Sequence, residues 1–328
     1  MKHLLLALLV SAGATTAFAQ SNVTVYGLVD VSMSSITDVN TVMSENSLNT
    51  SRLGFRGAED LGGGLKAEFQ LESRLNPSTG SAGVTTSTPN ILFNREAWVG
   101  FTSATLGSIR MGRSDITSAQ VIDSKVGQIG NFTDVDGNLG TDVAKVVRYT
   151  TPTFAGFSAQ VGWSNPDATE TTNTTDGSMT SAYVQYEAGK LGVYAGQVDK
   201  KIDATYKQKE ITLGAKYDFG FATVGAYRSV RTAATSALAT SNGDFTQTVF
   251  SVSAPVKALG KGISAHGAYF KNQHDVADKS GNVDGYKLAL IKAFSKRTDV
   301  YVAYANQRTN NTTDKDNIKY IVGLSHAF

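Results

Sequence analysis

The sequence predicts an all-β fold, a closed antiparallel barrel of about 16 strands that crosses a membrane. Three observations predict it. Segments whose residues alternate between two faces are separated in turn by short turns and by long polar stretches. The N-terminal residues have the pattern of an export signal. The last segment is an alternating run that stops on an aromatic residue.

The N-terminal export pattern comes first along the chain. A short positive region that includes Lys2 precedes an apolar core at residues 4–10, and Ala17-Phe18-Ala19 is a small-x-small cleavage pattern. The apolar core is too short for a membrane anchor, because a spanning helix needs about 20 residues. We therefore expect residues 1–19 to be a signal peptide and residues 20–328 to form one barrel domain.

Composition leaves two classes of protein open, a soluble exported protein and a membrane barrel. Mean hydropathy is −0.15 and charged residues make up 18% of the chain, but a barrel also looks polar because only every second residue faces lipid. The 32 Gly, 13 Tyr and 15 Phe with only 5 Pro favour long strands. The absence of Cys excludes disulfides and thiolate chemistry. A net charge of +2 argues against a nucleic-acid partner.

Alternation along the mature chain predicts the strands. In residues 23–31, five residues share one face: Val23, Val25, Gly27, Val29 and Val31. Short turns are expected at residues 59–64, 104–107, 187–192, 218–221 and 295–298. Long polar loops are expected at residues 34–50, 73–92, 115–144, 164–178, 200–206, 232–244, 272–284 and 308–317. Short turns at one membrane face and long loops at the other are typical of a transmembrane barrel, with short periplasmic turns and long extracellular loops.

The last predicted strand indicates closure. Six residues share one of its faces: Ile318, Tyr320, Val322, Leu324, His326 and Phe328. A closed barrel needs a final strand that pairs with the first, because pairing removes the free edges. The alternative is a buried terminal strand in a soluble sandwich.

Five segments carry a family resemblance, and they occur in the same order as in the family: residues 51–67, 94–100, 109–113, 147–152 and 325–328. Together they resemble the general porins of β-proteobacteria. The resemblance implies a trimer of 16-stranded barrels in the Gram-negative outer membrane, each a water-filled channel for passive diffusion of ions and small hydrophilic solutes. It also implies that the third long loop folds into the lumen. We expect no cofactor, no bound metal and no catalytic turnover.

A basic set of four arginines is expected at the constriction of such a channel: Arg52, Arg95, Arg113 and Arg148. Arg52 alternates with Leu53 and Phe55, so Arg52 and Arg56 face water if those two residues face lipid. The resemblance implies that Arg52, Arg113 and Arg148 line one wall, and that Arg95 matches a pore arginine of anion-selective members. Arginine suits this role because it stays charged and its head group is weakly hydrated. The alternative for each arginine is a strand-end side chain that reaches the membrane interface.

An acidic set of four aspartates lies in the third long loop: Asp115, Asp123, Asp134 and Asp136. The resemblance implies that loop acids oppose the wall arginines across the narrowest point, and the sequence alone does not select which acids do so. The alternative for each is a solvated loop charge. Asp142 stands about where anion-selective members carry an arginine. We therefore expect only a mild preference for anions.

Two other functions remain open at this stage, an outer-membrane barrel enzyme and a soluble exported β protein. Three histidines remain after the signal, and their spacing gives no metal-ligand pair: His266, His274 and His326. The expected partners are two further copies of this chain, outer-membrane lipid and lipopolysaccharide, and the barrel-assembly machinery through Phe328.

Overall fold

The structure is a computed structural model that describes residues 22–37, 39–83, 91–116, 118–126, 142–165, 178–201, 207–232, 244–274, 282–310 and 315–328. Within these residues the chain forms 18 strands, one α-helix and one turn of 3-10 helix. Sixteen of the strands form a closed antiparallel barrel, as the sequence predicts, and two short strands, β2 and β5, belong to loops. The signal-peptide prediction falls outside the described residues.

The first nine strands are β1 Asn22–Ile36, β2 Val39–Glu45, β3 Arg52–Gly62, β4 Leu65–Asn76, β5 Ser81–Ala82, β6 Glu96–Ser103, β7 Gly107–Ser114, β8 Val143–Thr150 and β9 Phe157–Ser164. The other nine are β10 Met179–Ala188, β11 Leu191–Lys201, β12 Lys207–Asp218, β13 Thr223–Thr232, β14 Phe245–Pro255, β15 Ile263–His274, β16 Asn282–Ala293, β17 Thr298–Asn310 and β18 Lys315–Ala327. Helix α1, Ser118–Val126, follows β7, and the 3-10 turn Lys257–Leu259 follows β14.

Pairing between β1 and β18 closes the barrel. The register runs from Leu28 opposite Ala327 to Ile36 opposite Lys319. The polar loop that the sequence predicts from residue 34 begins later than expected, because β1 continues to Ile36 and β2 follows. Residues 31–36 stay extended despite three serines, since β18 pairs with one edge of β1 and β2 pairs with the other.

The strands alternate between a buried face and an exposed face. In β10, Met179 and Tyr183 are buried, whereas Val184 on the other face is exposed. Exposed apolar residues recur on the outer faces of the other strands, and two neighbouring aromatic contacts among them join Tyr286, Tyr304 and Tyr320, with ring centroids 5.7 and 5.3 Å apart. An apolar outer surface with aromatic residues in a band is the surface that lipid covers.

Helix α1 lies inside the barrel, as expected for the third long loop. Its Ile122 and Val126 pack against inward-facing side chains of the wall, including Tyr183, Tyr194 and Tyr227. The contacts of the helix fall on β10, β11, β12 and β13. No helix in the described ranges is both long and apolar enough to cross a membrane.

Candidate functional site

Arginines gather on the inner face of β3, β4, β7 and β8. Arg52 stands directly opposite Arg74 across the β3–β4 pair, and Arg110 stands opposite Arg148 across the β7–β8 pair. Opposite residues in an antiparallel pair point to the same face. We name the inner face of strands β3 to β8, apart from β5, the basic wall.

Glu72 on β4 is the centre of one cluster on this wall. Its Oε2 accepts a hydrogen bond from the Tyr26 hydroxyl at 2.8 Å and lies 3.9 Å from Arg52 Nε. Its Oε1 accepts from Arg95 Nε at 2.5 Å. The Gln70 amide donates to the Tyr26 hydroxyl at 2.9 Å. The buried Glu72 carboxylate therefore holds Arg95 by a hydrogen bond, lies at ion-pair distance from Arg52, and offsets part of the charge of both arginines.

A second chain of contacts joins the wall to the start of the third loop. Arg74 forms an ion pair with Asp142 through its Nη2, and the Asp142 backbone N–H donates to Asp115 Oδ1 at 2.6 Å. Arg148 Nη1 donates to the Asp115 carbonyl oxygen at 2.7 Å. Burial, and then the nearby Asp142 charge, raise the pKa of the Asp115 carboxyl. The two acids thus lie beside the arginines and reduce the positive field there.

The four arginines of the basic set are not placed alike. Arg52, Arg95 and Arg148 lie in the contacts just described. Arg113 would follow Met111 to the lipid-facing side by simple alternation, but the β7–β8 ladder shifts register between Gly112 and Ser114. Its Nε donates to the Asn94 carbonyl oxygen at 2.9 Å. Arg113 therefore lies beside the backbone that leads into β6.

The basic set leaves out three further arginines of the wall: Arg56, which strand alternation already predicts to face water, and Arg74 and Arg110. Each was detectable, since each lies an even number of residues from a strand neighbour on the inner face. Arg56 follows Arg52 by four residues, and its guanidinium carbon lies 5.0 Å from the Tyr26 ring centroid. Arg110 precedes Gly112 by two residues and lies 4.0 Å from the Trp98 ring centroid.

The opposite side of the lumen is covered by helix α1. The Val126 carbonyl oxygen accepts a hydrogen bond from the Ser251 hydroxyl at 2.7 Å. Two glycines make room for the helix: a Cβ on Gly214 would lie 2.5 Å from an Ile122 methyl group, and one on Gly225 would lie 2.3 Å from the Val126 carbonyl oxygen. Any larger residue at either position would push the helix away.

Asp123 on helix α1 is directed at the barrel wall rather than at the arginines. Its Oδ1 is buried without a hydrogen-bond partner among the described residues, and it lies near Tyr227 and Lys287. Burial raises the pKa of the Asp123 carboxyl to about 7, with the Tyr227 hydroxyl and the Lys287 charge opposing that rise. Asp134 and Asp136 lie outside the described residues.

The last turn of helix α1 is tied to the wall by charge. Glu187 lies 3.4 Å from Lys125 of the helix and 3.2 Å from Lys216 of β12, and it accepts a hydrogen bond from the Tyr194 hydroxyl at 2.6 Å. Among the described residues no group of three or more acidic or histidine side chains is placed to hold a metal ion. Lys125, Glu187 and Lys216 are therefore paired, and the main contribution of this side of the lumen is to occupy space in the channel.

A closed barrel that holds a helix-bearing loop against its inner wall, opposite a row of arginines, defines a membrane diffusion channel. The chain belongs to the Gram-negative porin family, whose model matches residues 5–312. It is therefore an outer-membrane porin that forms a channel for passive diffusion of ions and small hydrophilic solutes. The family and the fold point to a channel rather than an enzyme.

Known proteins similar to this chain agree with that assignment. Outer membrane porin protein 32 of Delftia acidovorans is 34% identical over 244 residues, which cover 68% of this chain and 67% of that protein. An anion-selective porin from Comamonas acidovorans has a TM-score of 0.75 at 26% identity, over 94% of this chain and 100% of that one. The trimer form of OmpT from Vibrio cholerae has a TM-score of 0.66 at 15% identity, over 94% and 99%, and shows the fold alone.

Proposed function

We propose that the channel has a mild preference for anions, set by the basic wall. The observation that carries the proposal is the orientation of charge around the lumen. Arginines of the basic wall face inward, whereas Asp123 is turned into the opposite wall. The described arginines of this region are Arg52, Arg56, Arg74, Arg95, Arg110, Arg113 and Arg148. The described carboxylates near them are Glu68, Glu72, Glu96, Asp115 and Asp142.

The small excess of arginine explains why the preference is mild. Glu72 holds two of the arginines and Asp142 holds a third, so much of the positive charge is offset. Fixed charge inside a narrow pore raises the local concentration of the opposite ion, and the net excess decides the sign. We propose that Asp134 and Asp136 add negative charge on the loop side. The anion selectivity named for the Comamonas porin supports the same sign.

The test is the reversal potential of the purified protein in a planar bilayer under a KCl gradient. We expect a reversal potential with the sign of the chloride equilibrium potential and with a smaller magnitude than that of an ideally anion-selective pore. A reversal potential with the sign of the potassium equilibrium potential would overturn the proposed preference for anions. The absence of conductance from folded protein would instead contradict the channel itself.

We further propose that three copies of the chain assemble. The trimeric OmpT structure supports this assembly, and so does the outer surface of β1, β6 and β7, where several aliphatic side chains are strongly exposed: Val23, Val25, Val99 and Met111. Exposed apolar patches of this kind mark lipid or subunit contacts. In planar bilayers we expect conductance to change in multiples of three equal steps. Protein that conducts in single steps and migrates as a monomer on unheated gels would contradict the trimer.

The remaining proposals concern export and lipid contact. We propose that residues 1–19 are removed after export and that Phe328, whose ring is half exposed, takes part in recognition by the barrel-assembly machinery.

Lys271 faces outward two residues beyond Tyr269 toward a long loop, and both are exposed. A cation at this height suits the phosphates of lipopolysaccharide. The channel is proposed to act without catalytic turnover.

A further inference from the structure

Two neighbouring short turns on the periplasmic side of the barrel concentrate positive charge. One turn joins β14 to β15 at residues 256–262, and the other joins β16 to β17 at residues 294–297. Neither turn contains an acidic residue. Five cations lie in or directly beside these turns: Lys257, Lys261, Lys292, Lys296 and Arg297. We name these five residues the basic rim.

The acidic residues nearest to the basic rim, and those of other short turns, do not offset its charge. Asp299 follows the rim along the chain, but it lies two residues before the inward-facing Tyr301 and so shares its inner face. The turn between β3 and β4 is instead flanked by the exposed acids Glu59 and Asp60, and the turn after β12 begins at Asp218. Positive charge is therefore concentrated in one sector of the periplasmic edge.

Hydrogen bonds between the two turns bring their cations together. The Ala293 N–H donates to the Gly262 carbonyl oxygen at 2.8 Å, and Lys292 Nζ donates to the Lys261 carbonyl oxygen at 2.5 Å. Lys292 Nζ also lies 5.8 Å from the ring centroid of Phe294. The ammonium group of Lys292 is thus held beside the turn that carries Lys257 and Lys261.

Apolar side chains are exposed among these cations. Phe294 is 68% exposed and Leu259 is 58% exposed, and each belongs to one of the two turns. Cations next to exposed Phe and Leu are typical of a surface that lies at the headgroup level of a membrane. A soluble anion would gain nothing from the two apolar side chains, so the combination favours a lipid.

An apolar recess of about 370 Å³ continues from the basic rim toward the centre of the membrane. It lies on the outer surface of β15 to β17, and the residues around it include Ala265, Leu288, Leu290, Val302 and Tyr304. Leu290 stands opposite Ala265 and Val302 and precedes Lys292 by two residues on the same face, about 7 Å along the strand. The small Ala265 side chain leaves a depression between larger neighbours, which suits a hydrocarbon chain. We name this depression the outer recess.

We propose that the basic rim and the outer recess together bind one anionic phospholipid of the periplasmic leaflet, such as phosphatidylglycerol. The phosphate lies on the cations of the rim, and one acyl chain runs along the outer recess. Cations near a membrane surface attract anionic lipids. Because neither turn offers a carboxylate to the ammonium group of phosphatidylethanolamine, a lipid with net negative charge is preferred. This site is separate from Lys271, which lies at the other end of β15, and it is independent of the channel function.

Native mass spectrometry of the folded, detergent-solubilised protein tests the proposal by counting bound lipids. Phosphatidylglycerol and phosphatidylethanolamine with the same acyl chains are presented in turn at equal concentrations. We expect phosphatidylglycerol to be retained about fivefold or more over phosphatidylethanolamine, with saturation at one molecule per chain. Equal retention of the two lipids would overturn the basic rim as a site for anionic lipid.

Paired variants locate the headgroup. Lys261→Gln with Lys292→Gln should lower the retention of phosphatidylglycerol about tenfold or more, because two charges that attract the phosphate are lost. The matched control is Lys66→Gln with Lys190→Gln, which removes two exposed charges from other short turns of the same side and should retain the lipid like the wild type. Heat-modifiable migration on gels shows that each variant is folded. An equal loss in both double variants would also overturn the basic rim.

The outer recess has a test of its own. Ala265→Leu fills the depression and should lower the retention of phosphatidylglycerol by a smaller factor, because only the contact with the acyl chain is lost. Unchanged retention in Ala265→Leu would overturn the outer recess as the seat of that chain. Displacement of the lipid by excess glycerol phosphate would overturn the lipid as the occupant and assign the rim to a soluble phosphate compound.

Discussion

The two sides of the lumen keep their side chains in place by opposite means. On the basic wall, arginines are held by carboxylates and aromatic rings, as Arg95 is by Glu72 and Arg110 is by Trp98. On the other side, helix α1 is held by apolar packing of Ile122 and Val126 against wall tyrosines. We propose that the first arrangement controls the charge of the channel and that the second controls its width. The difference suggests that ion preference and conductance can be changed separately.

The largest expected effect comes from Gly225, on which the docking of helix α1 depends. Gly225→Ala would place a Cβ 2.3 Å from the Val126 carbonyl oxygen, and overpacking of this kind costs about 1–3 kcal/mol. The ratio of docked to undocked helix α1 should then fall roughly fivefold to a hundredfold. We expect a higher mean single-channel conductance in planar bilayers.

Gly267→Ala is the matched control for that experiment. The nearest atoms to a Cβ at Gly267 lie 3.4 Å away, which is an ordinary contact, and no atom of helix α1 is among them. This variant should conduct like the wild type. Equal conductance of Gly225→Ala, Gly267→Ala and the wild type would show that helix α1 does not set the width.

A smaller effect is expected from pH through Asp123. Burial raises the pKa of Asp123 to about 7 in the docked helix, whereas a solvated Asp titrates near 4. The docked helix thus binds the proton more tightly. This contribution to docking is fully present below about pH 4 and is lost as pH rises through about 7.

Mean conductance should therefore rise as the pH is raised from about 5 to about 8. Asp123→Asn removes the titrating group and should flatten this dependence. Asp218→Asn, at an exposed turn on the short-turn side, should leave it as in the wild type. A pH dependence that survives in Asp123→Asn would assign the effect to another group.

The smallest effect is expected from Asp142. Asp142→Asn removes the charge that pairs with Arg74 but keeps the shape of the side chain. The freed positive charge should increase the chloride-to-potassium permeability ratio by about twofold. Reversal potentials in a KCl gradient measure the ratio, with Glu59→Gln at an exposed strand end as the control. A decrease in the ratio would mean that Arg74 does not face the permeating ions.

Sequence patterns predicted the barrel and part of its inner face because alternation is a local property. The same rule predicts that Arg52 and Arg56 both face inward, and the pairing of β3 with β4 agrees. The position of Arg113 was not predictable in this way, because the register shift between Gly112 and Ser114 depends on pairing with β8.

The orientation of Asp123 had no local signal either. It depends on the docking of helix α1, which needs space at Gly214 and Gly225, roughly 90 to 100 residues further along the chain. A lone glycine in a strand indicates a bend or a close approach, but it does not say which segment approaches. Long-range packing of this kind becomes visible only when the barrel is closed.

The central claim is that the basic wall sets ion preference while helix α1 sets width. The most direct test measures reversal potential and conductance together for the double variant Arg52→Ala with Arg148→Ala. The control is Arg228→Ala with Arg297→Ala, which removes two exposed charges outside the lumen. We expect the reversal potential to shift toward the potassium equilibrium potential, while the conductance stays within about twofold of the wild-type value. An unchanged reversal potential, or a rise in conductance as large as that of Gly225→Ala, would contradict the claim.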